Sequence, residues 1–313
     1  MIAIRTAVCP VDFSVATDRQ LNLAVGVCRA FGARLVLHHN VTDVSVGAAV
    51  GWMWHADRSA PKPVSVDDAL RALARRVPKE IEVETCITRG AATEAVLTVS
   101  DAAEADLVVL SAHAGKTADH ASVIEFMLEH FGRAVLALPD QGTDAAEPRF
   151  VPAGDEHHPM QSILVPVSLT GDAHPQVEFA CDLARLFPLR LHLLHVPEPL
   201  ADLEHRDRGS AAVRPRLEAL IPPDLAERAA IHIEAGDPVP VIVETARRLS
   251  SSCILMGEHT RIPVKRWFSH DTARAVLHQA PCPVWYVPSA RAAASWISRL
   301  ALSSEKSILW GNV

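Results

Sequence analysis

The chain has 313 residues, with 30 Lys and Arg against 37 Asp and Glu, a formal charge of -7. That balance argues against a nucleic-acid protein driven by phosphate contacts. With 49% hydrophobic and 21% charged residues, the composition is that of a globular protein, and the length suits two ordinary domains. Aromatics make up only 5%, so Ala, Val, Leu and Ile must fill the cores.

The chain opens MIAIRTAVCPVDFS, whose apolar part is too short for a secretory leader and soon meets Pro10 and Asp12. No apolar run approaches the ~20 residues of a membrane-spanning helix, so a cytoplasmic location is expected. Cys9, Cys28, Cys86, Cys181, Cys253 and Cys282 stand singly, with no CxxC pair. Four of them have apolar neighbours and are expected as reduced core residues.

The apolar run TAVCPV predicts a first strand, followed by an amphipathic helix over DRQLNLAVGVCRAFG. ARLVLHHNV predicts a second strand, then comes a variable stretch containing the short helix VDDALRALARRV. A third strand (IEVETCI), a helix (ATEAVLTVSDAAE), a fourth strand (DLVVLS), a last helix (ASVIEFMLEHF) and a fifth strand (AVLALP) follow. The same succession then repeats: SILVPV, HPQVEFACDLARLF, LRLHLLHV, RPRLEALI, AAIHIEA, PVPVIVETARRLS, CILMG, DTARAVLHQA and PVWYVP. In register, Pro10 falls on Pro166, Gln20 on Gln176, His39 on His195, Gly90 on Gly236 and His113 on His259. The chain is one domain written twice. Short apolar strands alternating with helices predict an α/β fold, a doubly wound parallel sheet of five strands in each copy.

The expected boundaries are domain one at 1–139, a linker at 140–159, domain two at 160–288 and a tail at 289–313. The linker, DQGTDAAEPRFVPAGDEHHP, is rich in Pro, Gly and charge. In the tail, Trp296, Ile297 and Leu300 share one face of an expected helix. That face is suited to packing on the body or on another copy. It carries no basic stripe for a membrane surface.

The stretches VCPVDFSVATDRQLNLA, GAATEAVL, ADLVVLSAH, CILMGEHT and above all HQAPCPVWYVP resemble the universal stress protein pattern, in tandem. The resemblance implies a five-stranded parallel sheet per copy and two domains paired about a pseudo-twofold axis. Some family members bind ATP. Those carry an Asp after the first strand, at the adenine end, and a loop after the fourth reading Gly-x2-Gly, nine residues, then Gly-Ser/Thr. Glycines there let backbone N–H groups approach phosphates, and the Gly-Ser opens the last helix, whose free N–H groups favour an anion.

On that pattern the candidate nucleotide positions are Asp12, Val41, Ser111, His113, Ala114, Gly115, Lys116 and Ser122 in copy one, with Gly257 and Thr260 in copy two. Copy one keeps Asp12, but Ser111 and Ala114 stand where glycines belong, and residues 115–120 are too few. Ser122 with Glu125 also reads as an ordinary capping box. Copy two keeps Gly257 and the loop length. Thr260, His270 and Asp271 replace the remaining loop residues, however, and Ser168 replaces the Asp. A carboxylate at the helix start fills the anion site itself. Arg261, Lys265 and Arg266 offer partial compensation. Tight ATP binding is therefore not expected, and copy one is the better place for a ligand.

Sixteen histidines raise the question of zinc, with His39, His195, His113 and His259 near one sheet edge. Adjacent strand residues such as His38 and His39 point to opposite faces, and no HxxxH or HExxH occurs. No metal is expected; the histidines should hydrogen-bond loop backbone at strand ends. There is no GxxxxGK[ST], GxGxxG or GxSxG, and no catalytic residue is assigned. The expected function is a non-enzymatic stress or regulatory protein acting by ligand or partner binding. The alternative is a switch that holds ATP or another adenine nucleotide in copy one. A third reading, a ligand carrier, rests on Trp52, Met53 and Trp54. Expected partners are the chain's own second domain, a homodimeric copy and a protein of unknown identity; neither nucleic acid nor membrane is expected.

Overall fold

The computed structural model describes residues 2–41, 65–112, 119–139, 160–169, 174–197, 213–257, 270–288 and 308–312. The expectations placed on the Trp52–Trp54 cluster, the linker, the tail helix and Arg261, Lys265 and Arg266 lie outside them. Two compact units are present.

In the first unit, β1 (Thr6–Pro10) leads through α1 (Thr17–Phe31) to β2 (Arg34–Val41). Then come α2 (Val66–Ala74), β3 (Val83–Arg89), α3 (Ala92–Ala102), β4 (Leu107–Ser111), α4 (Asp119–His130) and β5 (Ala134–Leu138). In the second unit, β6 (Ser162–Pro166), α5 (Pro175–Leu186) and β7 (Arg190–His195) repeat the opening. A short helix at 213–218 and a 3-10 turn (Pro223–Arg228) precede β8 (Ala229–Ile233). The unit closes with α6 (Pro238–Arg248), β9 (Cys253–Gly257), α7 (His270–Gln279) and β10 (Val284–Val287).

Within each unit the strands pair in parallel, in the order β3-β2-β1-β4-β5 and β8-β7-β6-β9-β10. Helices are required on both faces because the central strands are buried on both: Ala7, Val8, Cys9, Leu35, Val36, Leu37, Val108 and Val109 are all fully buried. Local chemistry sets the helix ends. Ser65 and Asp68 form a reciprocal capping box on α2, each accepting the other's backbone N–H at 3.1 Å. Asp237 caps α6, with Pro238 in the first turn. The left-handed Gly32 ends α1.

The repeat extends to single backbone bonds. Arg34 N–H donates to Arg5 O and Arg190 N–H to Gln161 O, both at 2.9 Å. Positive φ recurs too, at Gly90 (117°) and Gly236 (144°), and at Glu104 (51°) and Ser250 (48°).

One element was not foreseen. Leu309–Asn312 forms β11, antiparallel to β3 at the edge of the first unit, with Trp310 opposite Cys86 and Gly311 opposite Thr85. Four residues containing a glycine give no alternation for a sequence reading to find. The described end of the tail is therefore strand. Among the described residues no helix is long and apolar enough to cross a membrane.

Candidate functional site

A doubly wound sheet opens a crevice where neighbouring strands are followed by helices on opposite faces. In the first unit that point lies between β1 and β4, whose pairing is confined to Ala7–Leu107 and Val8–Val108. Gln20, from α1, bridges the parting strands: its amide donates to Pro10 O at 2.6 Å and to Val109 O at 2.8 Å. It is buried, so it satisfies carbonyls that the ladder no longer reaches.

Asp12 follows β1 at the crevice mouth. Its Oδ1 accepts the Ser14 N–H at 2.9 Å and the Thr17 hydroxyl at 3.4 Å, organising the entry to α1. α1 needs this help, because Ala16 at its N-cap has no side-chain oxygen to offer. Phe13 between them is left-handed (φ 57°). Its ring lies 4.9 Å from that of His39.

His39, near the end of β2, is 3% exposed. Its Nδ1 lies 2.7 Å from Val11 O, an acceptor only, so Nδ1 carries the proton. Burial lowers the pKa of His39 below the usual imidazole value, against smaller opposing effects of the Val11 bond and the Asp12 charge. The neutral ring then presents a bare lone pair at Nε2, and that buried atom has no hydrogen-bond partner. The crevice thus combines a carboxylate with an unsatisfied imidazole acceptor.

His38 points to the opposite face. Thr88 Oγ1 donates to Asn40 Oδ1 at 3.0 Å, so it accepts from His38 Nε2–H at 2.7 Å. The fully buried ring has its pKa pushed down to about 3, by desolvation first and by His39 second.

The other candidate positions fall as follows. Val41 ends β2 opposite Arg89, and Ser111 ends β4 opposite Leu138. α4 begins at Asp119, three residues before Ser122. Ser122 therefore lies one turn inside the helix, and its N–H is not one of the free N-terminal donors. His113, Ala114, Gly115 and Lys116 lie outside the described residues, as does Thr260.

The second unit repeats the frame with different contents. His195 Nδ1 meets Val167 O at 2.8 Å, and Ser168 stands where Asp12 does in the first unit. Gln176 donates to Pro166 O at 3.4 Å. Its side chain also occupies the space that a Cβ on Gly257 would need. Gly257 is thus required by Gln176, whatever else it meets.

Gln20 and Gln176 are matched positions of the repeat whose role only the structure reveals. Their recurrence ten residues after Pro10 and Pro166 was the available signal. Among the described residues no group of three or more His, Cys, Asp or Glu is placed to hold a metal.

The model of the universal stress protein family matches residues 3–139 and again 160–288. No curated protein matches the chain. Among solved structures it is similar to a functionally unknown protein from Pseudomonas aeruginosa PAO1, with TM-score 0.67 and 16% identity over 96% of this chain and 98% of that one. It is also similar to a putative universal stress protein from Pseudomonas aeruginosa UCBPP-PA14, with TM-score 0.63 and 16% identity over 96% and 98%. A universal stress protein from Archaeoglobus fulgidus DSM 4304 gives TM-score 0.55 and 16% identity over 90% and 96%. These likenesses concern the fold; the two matches of the family model together cover most of the chain. The chain belongs to the universal stress protein family and carries that family's domain in tandem.

Proposed function

We propose that this protein is a non-enzymatic regulator that works by binding, and that its first domain holds the ligand. The observation that carries this reading is the buried, unpartnered Nε2 of His39 beside Asp12, at the mouth of the β1–β4 crevice. Two acceptors in one place favour a ligand that brings hydrogen-bond donors, such as the exocyclic amine of an adenine. The second domain offers Ser168 at the equivalent position, a hydroxyl in place of a charge. It serves this reading as structure and as a surface for partners.

The phosphate end is weaker support. Ser122 sits inside α4, and Ser111 replaces the first loop glycine. Adenosine and AMP should therefore bind about as well as ATP, with no sustained ATP hydrolysis. The test is thermal stabilisation of purified protein by adenosine, AMP and ATP, with mass spectrometry of ligands released from unboiled protein. Asp12→Ala should abolish the shift. Stabilisation unaffected by Asp12→Ala would remove the first domain as the site, and steady ATP turnover would overturn the non-enzymatic reading.

A further inference from the structure

Edge strands of open sheets present unpaired N–H and C=O groups, ready to accept another strand. Without β11, β3 would be such an edge. The segment that covers it arrives from the far end of the chain, joined to β10 through residues 289–307. It is held in a defined register, with Leu309 opposite Ile87, Trp310 opposite Cys86, Gly311 opposite Thr85 and Asn312 opposite Glu84.

Thr85 fixes that register. Its hydroxyl donates to Gly311 O at 3.0 Å, and a Cβ on Gly311 would lie 2.7 Å from Thr85 Oγ1. Thr85 is 1% exposed, so it has little room to withdraw. The edge therefore accepts an extended segment with glycine at one position and rejects side chains there. By contrast, docking hides little of the apolar surface that β11 brings: Leu309 stays 66% exposed and Trp310 43%. The attachment rests on the backbone ladder and the Thr85–Gly311 contact, which favours a strand that can come away.

We propose that the β3 edge is a strand-docking site gated by Thr85, and that the C-terminal segment of a second copy can replace the resident one. The exchanged segment makes the same contacts in either chain, so the two states differ only through tethering and concentration. Reciprocal exchange links two chains and leaves neither β3 uncovered. The partner is thus another copy of this chain, recognised by the Leu-Trp-Gly-Asn segment in extended form.

The test uses the full chain and a labelled synthetic peptide, Ser-Ile-Leu-Trp-Gly-Asn-Val. Gly311→Ala should loosen the resident strand and expose the edge, so this variant binds the peptide at least about tenfold more tightly than the unaltered chain. The same peptide with Ala in place of Gly should fail on both. At high concentration the unaltered chain should form a dimer that excess peptide returns to monomer, while Gly311→Ala stays monomeric. Amide exchange checks the cause, with protection lost at Glu84–Ile87 in the variant and kept at Val36 and Val108. Should Gly311→Ala not fold, Trp310→Pro, which breaks the resident strand's ladder and leaves Thr85 to hold the peptide, should raise peptide binding by a similar factor. Equal binding by both chains, equal binding of the Ala peptide, or a Gly311→Ala dimer would overturn the proposal. Peptide capture with no dimer at any concentration would overturn the second copy as occupant.

Discussion

His39 donates through Nδ1 to the carbonyl of Val11 at 2.7 Å, and His195 makes the same bond to Val167 at 2.8 Å. In both units this ties the end of the second strand to the loop after the first, which forms one wall of the crevice. His39→Leu leaves a buried carbonyl unpaired and should cost about 1–3 kcal/mol. His39→Asn places an amide N–H near the lost Nδ1–H and should lose less. The order can be read from urea unfolding, with His195→Leu and His195→Asn as the matched pair. Equal losses for Leu and Asn would mean that packing, not the bond, is what counts.

Acid should weaken the first domain before ordinary carboxylate titration begins. His38 and His39 both have folded-state pKa values below the unfolded value of 6.5, and that of His38 falls to about 3. A base with a depressed folded pKa binds fewer protons folded than unfolded. Its stabilising contribution is therefore present above pH 6.5 and is lost as pH falls toward 3. Each such group should contribute a slope of up to about 1.4 kcal/mol per pH unit in that window. His38→Gln keeps a donor toward Thr88 and removes the titration. Its unfolding free energy should depend less steeply on pH between 6.5 and 4, measured by chemical denaturation at fixed salt.

Gly257 separates two explanations of one residue. On sequence it marks a phosphate loop, whereas in the structure it gives way to Gln176. Gly257→Ala should destabilise the second domain by about 1–3 kcal/mol through overpacking. Gln176→Ala has its own cost, from the lost bond to Pro166 O. In combination the two should cost less than their sum, because the clash is gone. Additive losses would show that Gly257 is needed for some reason other than Gln176.

The architecture was readable because its signals are redundant. Five apolar runs per copy, the first four each followed by a helical pattern, were written twice, and each copy checks the other. The position of Asp12 just after β1 was legible in PVDFS. What was not legible depends on distances between segments far apart in the chain. The unsatisfied His39 Nε2 emerges only when β2, Val11 and the crevice wall are in place. The Gln176 contact with Gly257 joins α5 to β9, and no spacing along the chain reveals it. The start of α4 was not legible either, since the helix begins a turn before the serine that reads as its cap. β11 was missed because four residues cannot show a period.

The six cysteines give a prediction that tests both cores at once. All are free and buried, and burial pushes the Cys28, Cys86 and Cys282 thiols up to about 12, with Cys9, Cys181 and Cys253 also raised. The thiolate is the reactive form, so at pH 8 each native thiol should be nearly inert to an aromatic disulfide reagent. All six should react promptly in denaturant. In the native protein, labelling should proceed only through opening, in two groups set by the stabilities of the two domains. Cys9, Cys28 and Cys86 belong to the first, and Cys181, Cys253 and Cys282 to the second. Lowering the pH from 8 toward 5 should speed opening of the first group through His38 and His39, after correction for the reagent's own pH dependence. Mass spectrometry of the labelled peptides assigns each group, and fast labelling of any single cysteine under native conditions would show that its site is open to solvent.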